Sequence, residues 1–269
     1  MEGERSQFAG AANHLKTAVM LLWTAGSYLV LLLAPLPWWG LFLVAISLGL
    51  GMAGIGMNIQ HDANHGSYSR SRVVNRLLGC TLDLLGGSSV IWRFKHNRLH
   101  HGQPNVHGVD ADLEAGWFSR FAPQQERRSF HRFQQFYVWG LYGLLPPKWQ
   151  LVDDVHDIIR RRVGHQAFRR PAPRDLAGIL LGKLFFYSVA FVIPLFVHPP
   201  LVVLGVYFVS SAVLGVVLAV TFQLAHCVGE AEFPEGQTVA ANADEWMIQQ
   251  LDSTVDFARK NRALSWYLG

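Results

Sequence analysis

The sequence predicts an all-α integral membrane protein: four transmembrane helices, arranged as two hairpins, carry a cytoplasmic helical cap that bears histidine clusters. Three observations predict it. Of the 269 residues, 51% are hydrophobic and only 16% are charged, which is too apolar for a soluble domain of this length. Four apolar stretches, residues 17–34, 38–59, 176–197 and 201–222, have about the 20 residues that a helix needs to cross a bilayer. Finally, six of the twelve histidines lie beside those stretches in a ligand-like pattern: His61-Asp-Ala-Asn-His65, His96-Asn-Arg-Leu-His100-His101, and a lone His226.

The first stretch is longer than the apolar part of a signal peptide and no small-residue cleavage site follows it, so it reads as a retained helix. Pro35-Leu36-Pro37 turns it into the second stretch, and His198-Pro199-Pro200 joins the last two; neither turn carries Lys or Arg. Residues 92–173 instead carry thirteen Lys/Arg against seven Asp/Glu. The positive-inside rule assigns this segment, and with it both termini, to the cytoplasm. The stretch 73–91 is apolar, but Asn75, Arg76, Asp83 and the breaker Gly86-Gly87-Ser88-Ser89 make it interfacial or re-entrant, because charge at mid-bilayer costs several kcal/mol. Lys183, about 10 Å into the third span at 1.5 Å per residue, is expected to snorkel back to the surface. The aromatic stretch 130–145 reads as an amphipathic helix in the interface, and the basic run 160–174 as a headgroup-facing stretch. Small residues four apart, Ala45, Gly49 and Ala53 in the second span and Ser211, Gly215 and Ala219 in the fourth, suit close helix packing. Cys80 and Cys227 form no C-x-x-C pair, so neither a disulfide framework nor a thiolate metal site is expected. The chain reads as a single domain, 1–269, with 92–173 as a cytoplasmic segment within it.

Under this topology all six histidines converge on one membrane face. Imidazoles four residues apart share one side of a helix, and a nitrogen-rich site without thiolates suits iron, zinc or copper rather than calcium or magnesium. A zinc peptidase motif needs a glutamate in His-Glu-x-x-His; Asp62 follows His61 instead. A hydrocarbon in a membrane offers no ionisable group to acid–base catalysis, so oxidative chemistry at bound iron fits the setting better. His14, His107, His131, His156, His165 and His198 are read as ordinary histidines. A metal transporter or a non-catalytic metal-binding membrane protein is the more distant alternative. A transporter should line its spans with ionisable residues, and these spans carry almost none besides Lys183.

The two boxes, His61-Asp-Ala-Asn-His65-Gly-Ser and Lys95-His96-Asn-Arg-Leu-His100-His101, together with Thr221-Phe-Gln-Leu-Ala-His226, Glu232-Phe-Pro234 and the closing residues 256–269, resemble the membrane fatty acid desaturases, in particular the acyl-lipid or front-end type of bacteria. The resemblance implies oxygen-dependent removal of two hydrogens from an acyl chain at a diiron centre, with two external electrons. His61, His65, His96, His100, His101 and His226 carry over as iron ligands, and Asp62, Asp110 and Asp112 are candidates to hold ligand imidazoles in one tautomer. It implies an acyl lipid, acyl-CoA or acyl-carrier substrate and O2 as co-substrate. The electron donor would be a separate ferredoxin or cytochrome b5 type protein, because no His-Pro-Gly-Gly segment is present. The same scaffold can return oxygen to carbon as a hydroxylase or ketolase, which is the nearer alternative. The location implied is a bacterial inner membrane or an endoplasmic-reticulum-like one. The family carries a third box of the form His/Gln-x-x-His-His after the closing segment, whereas no histidine follows His226. The expectation is a chain truncated before that box and inactive in this form.

Overall fold

The computed structural model describes residues 10–234 and 243–268; the termini themselves, assigned above to the cytoplasm, lie outside these residues. Helix α1 (Ala11–Leu33) and helix α2 (Trp38–His65) form the first hairpin. Pro37 caps α2 with extended backbone, and Gly66 ends it in the left-handed conformation (φ 77°) that favours glycine. The pair is joined inside by Trp23 Nε1 donating to Ser47 Oγ at 2.8 Å and by Ser27 meeting the same hydroxyl at 2.9 Å.

Three short helices follow, α3 (Arg72–Gly79), α4 (Thr81–Leu84) and α5 (Ser89–Trp92), the last continuing as π-helical turns over Arg93–His100. None is long enough to cross a bilayer, so four helices of spanning length and apolarity remain among the described residues. An irregular segment leads to a 3-10 turn (Ser129–Phe133), to α6 (Gln134–Lys148), and through π-helical turns (Trp149–Asp153) to α7 (Asp154–Arg160). The basic run is an antiparallel hairpin, Arg162–Val163 with Gln166–Ala167. Its arginines are exposed, while Val163 and Phe168 are buried against Ile91, Leu99 and Ala111. Helices α8 (Pro173–Leu195) and α9 (Pro200–His226) form the second hairpin, each with proline in its first turn where an N–H would go unpaired anyway. Helices α10 (Ala243–Asp252) and α11 (Arg262–Leu268) close the chain.

The small-residue stripes do pack helices. A Cβ on Gly49 would meet the Ser210 carbonyl and Val213, and one on Gly215 would fall on the Tyr142 carbonyl. The aromatic helix expected in the interface is therefore α6 laid against α9, with Phe136 and Trp139 still exposed. Lys183 does not snorkel. It is 7% exposed, pairs with Asp154 at 2.8 Å and donates to the carbonyls of Gly86 (2.6 Å), Trp149 (3.1 Å) and Gln150 (2.8 Å). With a carboxylate and three carbonyls within reach, the ammonium does not need the surface. Between the four spans lies an apolar cavity of about 320 Å³, running from Ile55, Leu85 and Gln150 to Leu31, Pro194 and His198.

Candidate metal centre

Helix α2 is α-helical to Ile55, takes one π turn over Gly56–Gln60, and resumes as His61–His65. Such turns shift the helical register and recur at functional sites. The second box is π-helical throughout, with His101 N–H bonded to the His96 carbonyl five residues back at 2.9 Å. The wider turn stacks His96 on His100, rings 5.0 Å apart.

A buried polar clamp holds the two boxes together. Asn64 donates to Gln60 and to the Gly79 carbonyl and accepts from Arg93 Nη1 at 2.9 Å, while Asn97 donates to the Asn64 carbonyl at 2.9 Å. Trp92 walls the cluster, stacked on His96 at 4.3 Å and edge-on to His61 and His65. Sequence reasoning missed both residues. Each left a signal: an asparagine is a poor choice for a helix interior, and Trp92 stands four residues before His96.

The structure brings all six sequence-predicted histidines into one cluster. The donor atoms of His61, His65, His96 and His101 lie within 4.8 Å of one another, and those of His96, His100 and Asp112 form a second such group. His61 Nε2 and His96 Nε2 are 3.3 Å apart. His226 belongs to neither group, but its ring is 4.5 Å from that of His100, and its Nδ1 donates to the Ser253 carbonyl at 3.1 Å. The three aspartates also arrive: Asp110 accepts from His100 Nδ1 at 2.8 Å, Asp112 from His96 Nδ1 at 2.9 Å, and Asp62 lies 3.4 Å from His61 Nδ1. The second oxygen of Asp112 pairs with Lys95 at 3.0 Å. His14 and His198 spend ring nitrogens on Tyr68 and on the Leu31 carbonyl.

Electrostatics favour neutral imidazoles at His96 and His101. Burial, against the pull of Asp112, takes His96 down to about 4, and burial with neighbouring imidazoles takes His101 down to about 3. At His100 burial acts downward as well, but the bond and charge of Asp110 outweigh it and the group is raised. Asp112 is buried, yet the Lys95 charge and the His96 bond hold it well below the usual carboxylate range. Three ring nitrogens, Nε2 of His65, His100 and His101, are buried with no hydrogen-bond partner among the described residues. Buried polar atoms are ordinarily paired, so these lone pairs point to a ligand. The donor set of neutral imidazoles, without thiolate, fits a nitrogen-preferring transition metal such as iron.

The fatty acid desaturase family profile matches residues 14–269. The chain belongs to the fatty acid desaturase family. It is 36% identical over 258 residues to an sn-1 linoleoyl-lipid 6-desaturase of Arthrospira platensis, a match covering 95% of this chain and 70% of that protein. A second relative of that description, from Synechocystis sp., is 36% identical over 261 residues, covering 95% and 72%. An acyl-lipid (8-3)-desaturase of Physcomitrium patens is 34% identical over 231 residues, covering 84% of this chain and 47% of the relative. These matches bear out the resemblance to acyl-lipid desaturases.

Proposed function

We propose that this family member introduces a double bond into acyl chains carried on membrane lipids, using O2 and a histidine-bound pair of iron ions. The observation that carries the reading is the meeting of two box-derived groups of donor atoms with three buried, unpartnered Nε2 atoms among them. His61, His65, His96 and His101 would hold one iron, and His100 with His226 would contribute to the second. Iron bound by such ligands supplies activation of dioxygen toward an unactivated C–H bond, which no side chain supplies.

The chain's own residues do the rest. Asp112 has both oxygens committed, to Lys95 and to His96, so it acts as an orienting group. With Asp110 on His100, it keeps the proton on Nδ1 and turns the Nε2 lone pair inward. Asp62 stands beside His61 for the same task. The apolar cavity among the spans offers the acyl tail a wall in which Leu, Val and Phe side chains make up half of the lining residues. The lipid-bound form of the substrate is supported by the relatives, whose names specify acyl lipids. The excess of Lys/Arg in residues 92–173 supports a cytoplasmic histidine face, where a separate ferredoxin or cytochrome b5 type donor would deliver two electrons.

The test is lipid analysis of a desaturase-deficient host expressing the chain extended by a segment bearing His-x-x-His-His. The expected result is a new double bond in lipid-bound acyl chains that disappears with His100→Ala. A new hydroxyl or carbonyl in its place would assign the hydroxylase or ketolase reaction instead. Purified protein without iron, from cells that make no new lipid, would overturn the reading altogether.

A further inference from the structure

One residue outside the histidines and aspartates ties the cluster together. Asn105 is fully buried in the segment between the second box and Asp110, with a left-handed backbone (φ 59°) that asparagine tolerates better than most side chains. Its backbone N–H donates to Asp110 Oδ2 at 3.0 Å, the oxygen that also accepts from His100 Nδ1. Its side-chain amide donates to three carbonyls: that of His226 at 2.8 Å, of Glu232 at 3.0 Å and of Ser253 at 3.3 Å. The Ser253 carbonyl in turn accepts from His226 Nδ1. One side of Asn105 thus grips the carboxylate that orients His100, and the other grips both the backbone of His226 and the group that orients its ring.

This arrangement is more than packing. His226 arrives on α9, more than a hundred residues from the second box, and the hydrogen bonds of Asn105 are what lock its backbone to the loop beside His100. An apolar side chain of similar size would take the amide's two N–H groups away from the carbonyls of His226 and Glu232, and would leave that of Ser253 only the His226 ring. We propose that Asn105 is a positioning residue: its side-chain amide sets where His226 stands relative to His100 and so builds the second metal position, while the group of His61, His65, His96 and His101 makes no hydrogen bond with that amide and is held by Asn64, Arg93, Trp92 and Asp112. This inference rests on the metal reading above.

Cobalt(II) titration of the full chain purified in detergent, followed by visible absorption, tests it. Asn105→Asp is isosteric but faces the three carbonyls with a carboxylate. Asn105→Gly keeps the left-handed backbone and the bond to Asp110 but loses the amide. Both variants are expected to weaken, by about 10–100-fold, the cobalt binding that His226→Ala weakens, while leaving unchanged the binding that His61→Ala weakens. Wild-type affinity for both classes in Asn105→Asp and Asn105→Gly overturns the inference. So does loss of both classes together in both variants, which would assign Asn105 to folding alone, and so does cobalt binding that His226→Ala leaves untouched. A wild-type chain that takes up no cobalt overturns the metal reading itself, a failure visible before any substitution is made.

Discussion

Two buried polar clusters of this molecule look alike in composition and differ in what they leave unpaired. Around Lys183 the buried ammonium is fully answered: the carbonyls of Gly86, Trp149 and Gln150 take its protons, and Asp154, whose Oδ2 makes no hydrogen bond, supplies the countercharge. Gln150 extends the network by donating to the Leu85 carbonyl and accepting from Tyr207. Around the histidines each orienting bond is made on Nδ1, and the Nε2 atoms of His65, His100 and His101 are left buried without a partner. The first arrangement ties Gly86 and residues 149–154 to the third span. The second leaves capacity for a ligand. Unspent lone pairs, more than burial or charge, separate a site of chemistry from a site of cohesion.

The sharpest way to break this comparison is to delete a member of the histidine cluster. His100→Ala is expected to lower the iron of protein purified under iron-replete conditions by about half, because it opens the second position while His61, His65, His96 and His101 keep the first. His14→Ala and His198→Ala should keep wild-type iron, since their ring nitrogens already serve Tyr68 and the Leu31 carbonyl. Elemental analysis decides it: wild-type iron in His100→Ala would remove that residue from the ligand set.

The Lys183 cluster should respond in stability instead. Lys183→Met leaves Asp154 buried without its partner and removes a donor from three carbonyls, of which that of Gln150 keeps Tyr187, a loss on the order of 3–5 kcal/mol. Replacing both members, Lys183→Met with Asp154→Leu, should recover much of it, because no charge then stays buried alone. Denaturant unfolding in micelles measures both. A Lys183→Met protein as stable as wild type would mean that the pair contributes nothing. The folded fraction should retain its metal binding.

The sequence disclosed the histidine side of the comparison far better than the lysine side. Four spans, two boxes and the meeting of His226 with them follow from apolar length and ligand spacing, both local properties. Asp110 and Asp112 could be nominated because they follow closely on the second box. Lys183 could not be read correctly, since its partner Asp154 lies on another element and hydropathy carries no information about which helix faces which. For the same reason the stripe of Ser211, Gly215 and Ala219 was legible as a packing face without showing that α6 is the helix it receives. Asn105 escaped because its amide works through backbone carbonyls, which leave no mark in the sequence.

The smallest expected effect separates the clusters by pH. Burial pushes the Asp154 carboxyl up to about 6, with Lys183 pulling the other way. Its folded-state value lies above its unfolded one, so the folded protein binds that proton more tightly. The contribution of this group to stability is therefore fully present below the unfolded value and is lost as pH rises through about 6. Lowering the pH from 7.5 to 5.0 should raise wild-type stability relative to Asp154→Asn by about 1.4 kcal/mol, since roughly one proton is taken up in the fold and not in the unfolded chain. The two proteins share every other titrating group, the histidines included, so their difference isolates this carboxyl. Paired unfolding curves at the two pH values give the number. A difference that stays flat, or one in which acid weakens the wild type relative to Asp154→Asn, would show that the Lys183 pair keeps Asp154 ionised and that burial does not dominate at this site.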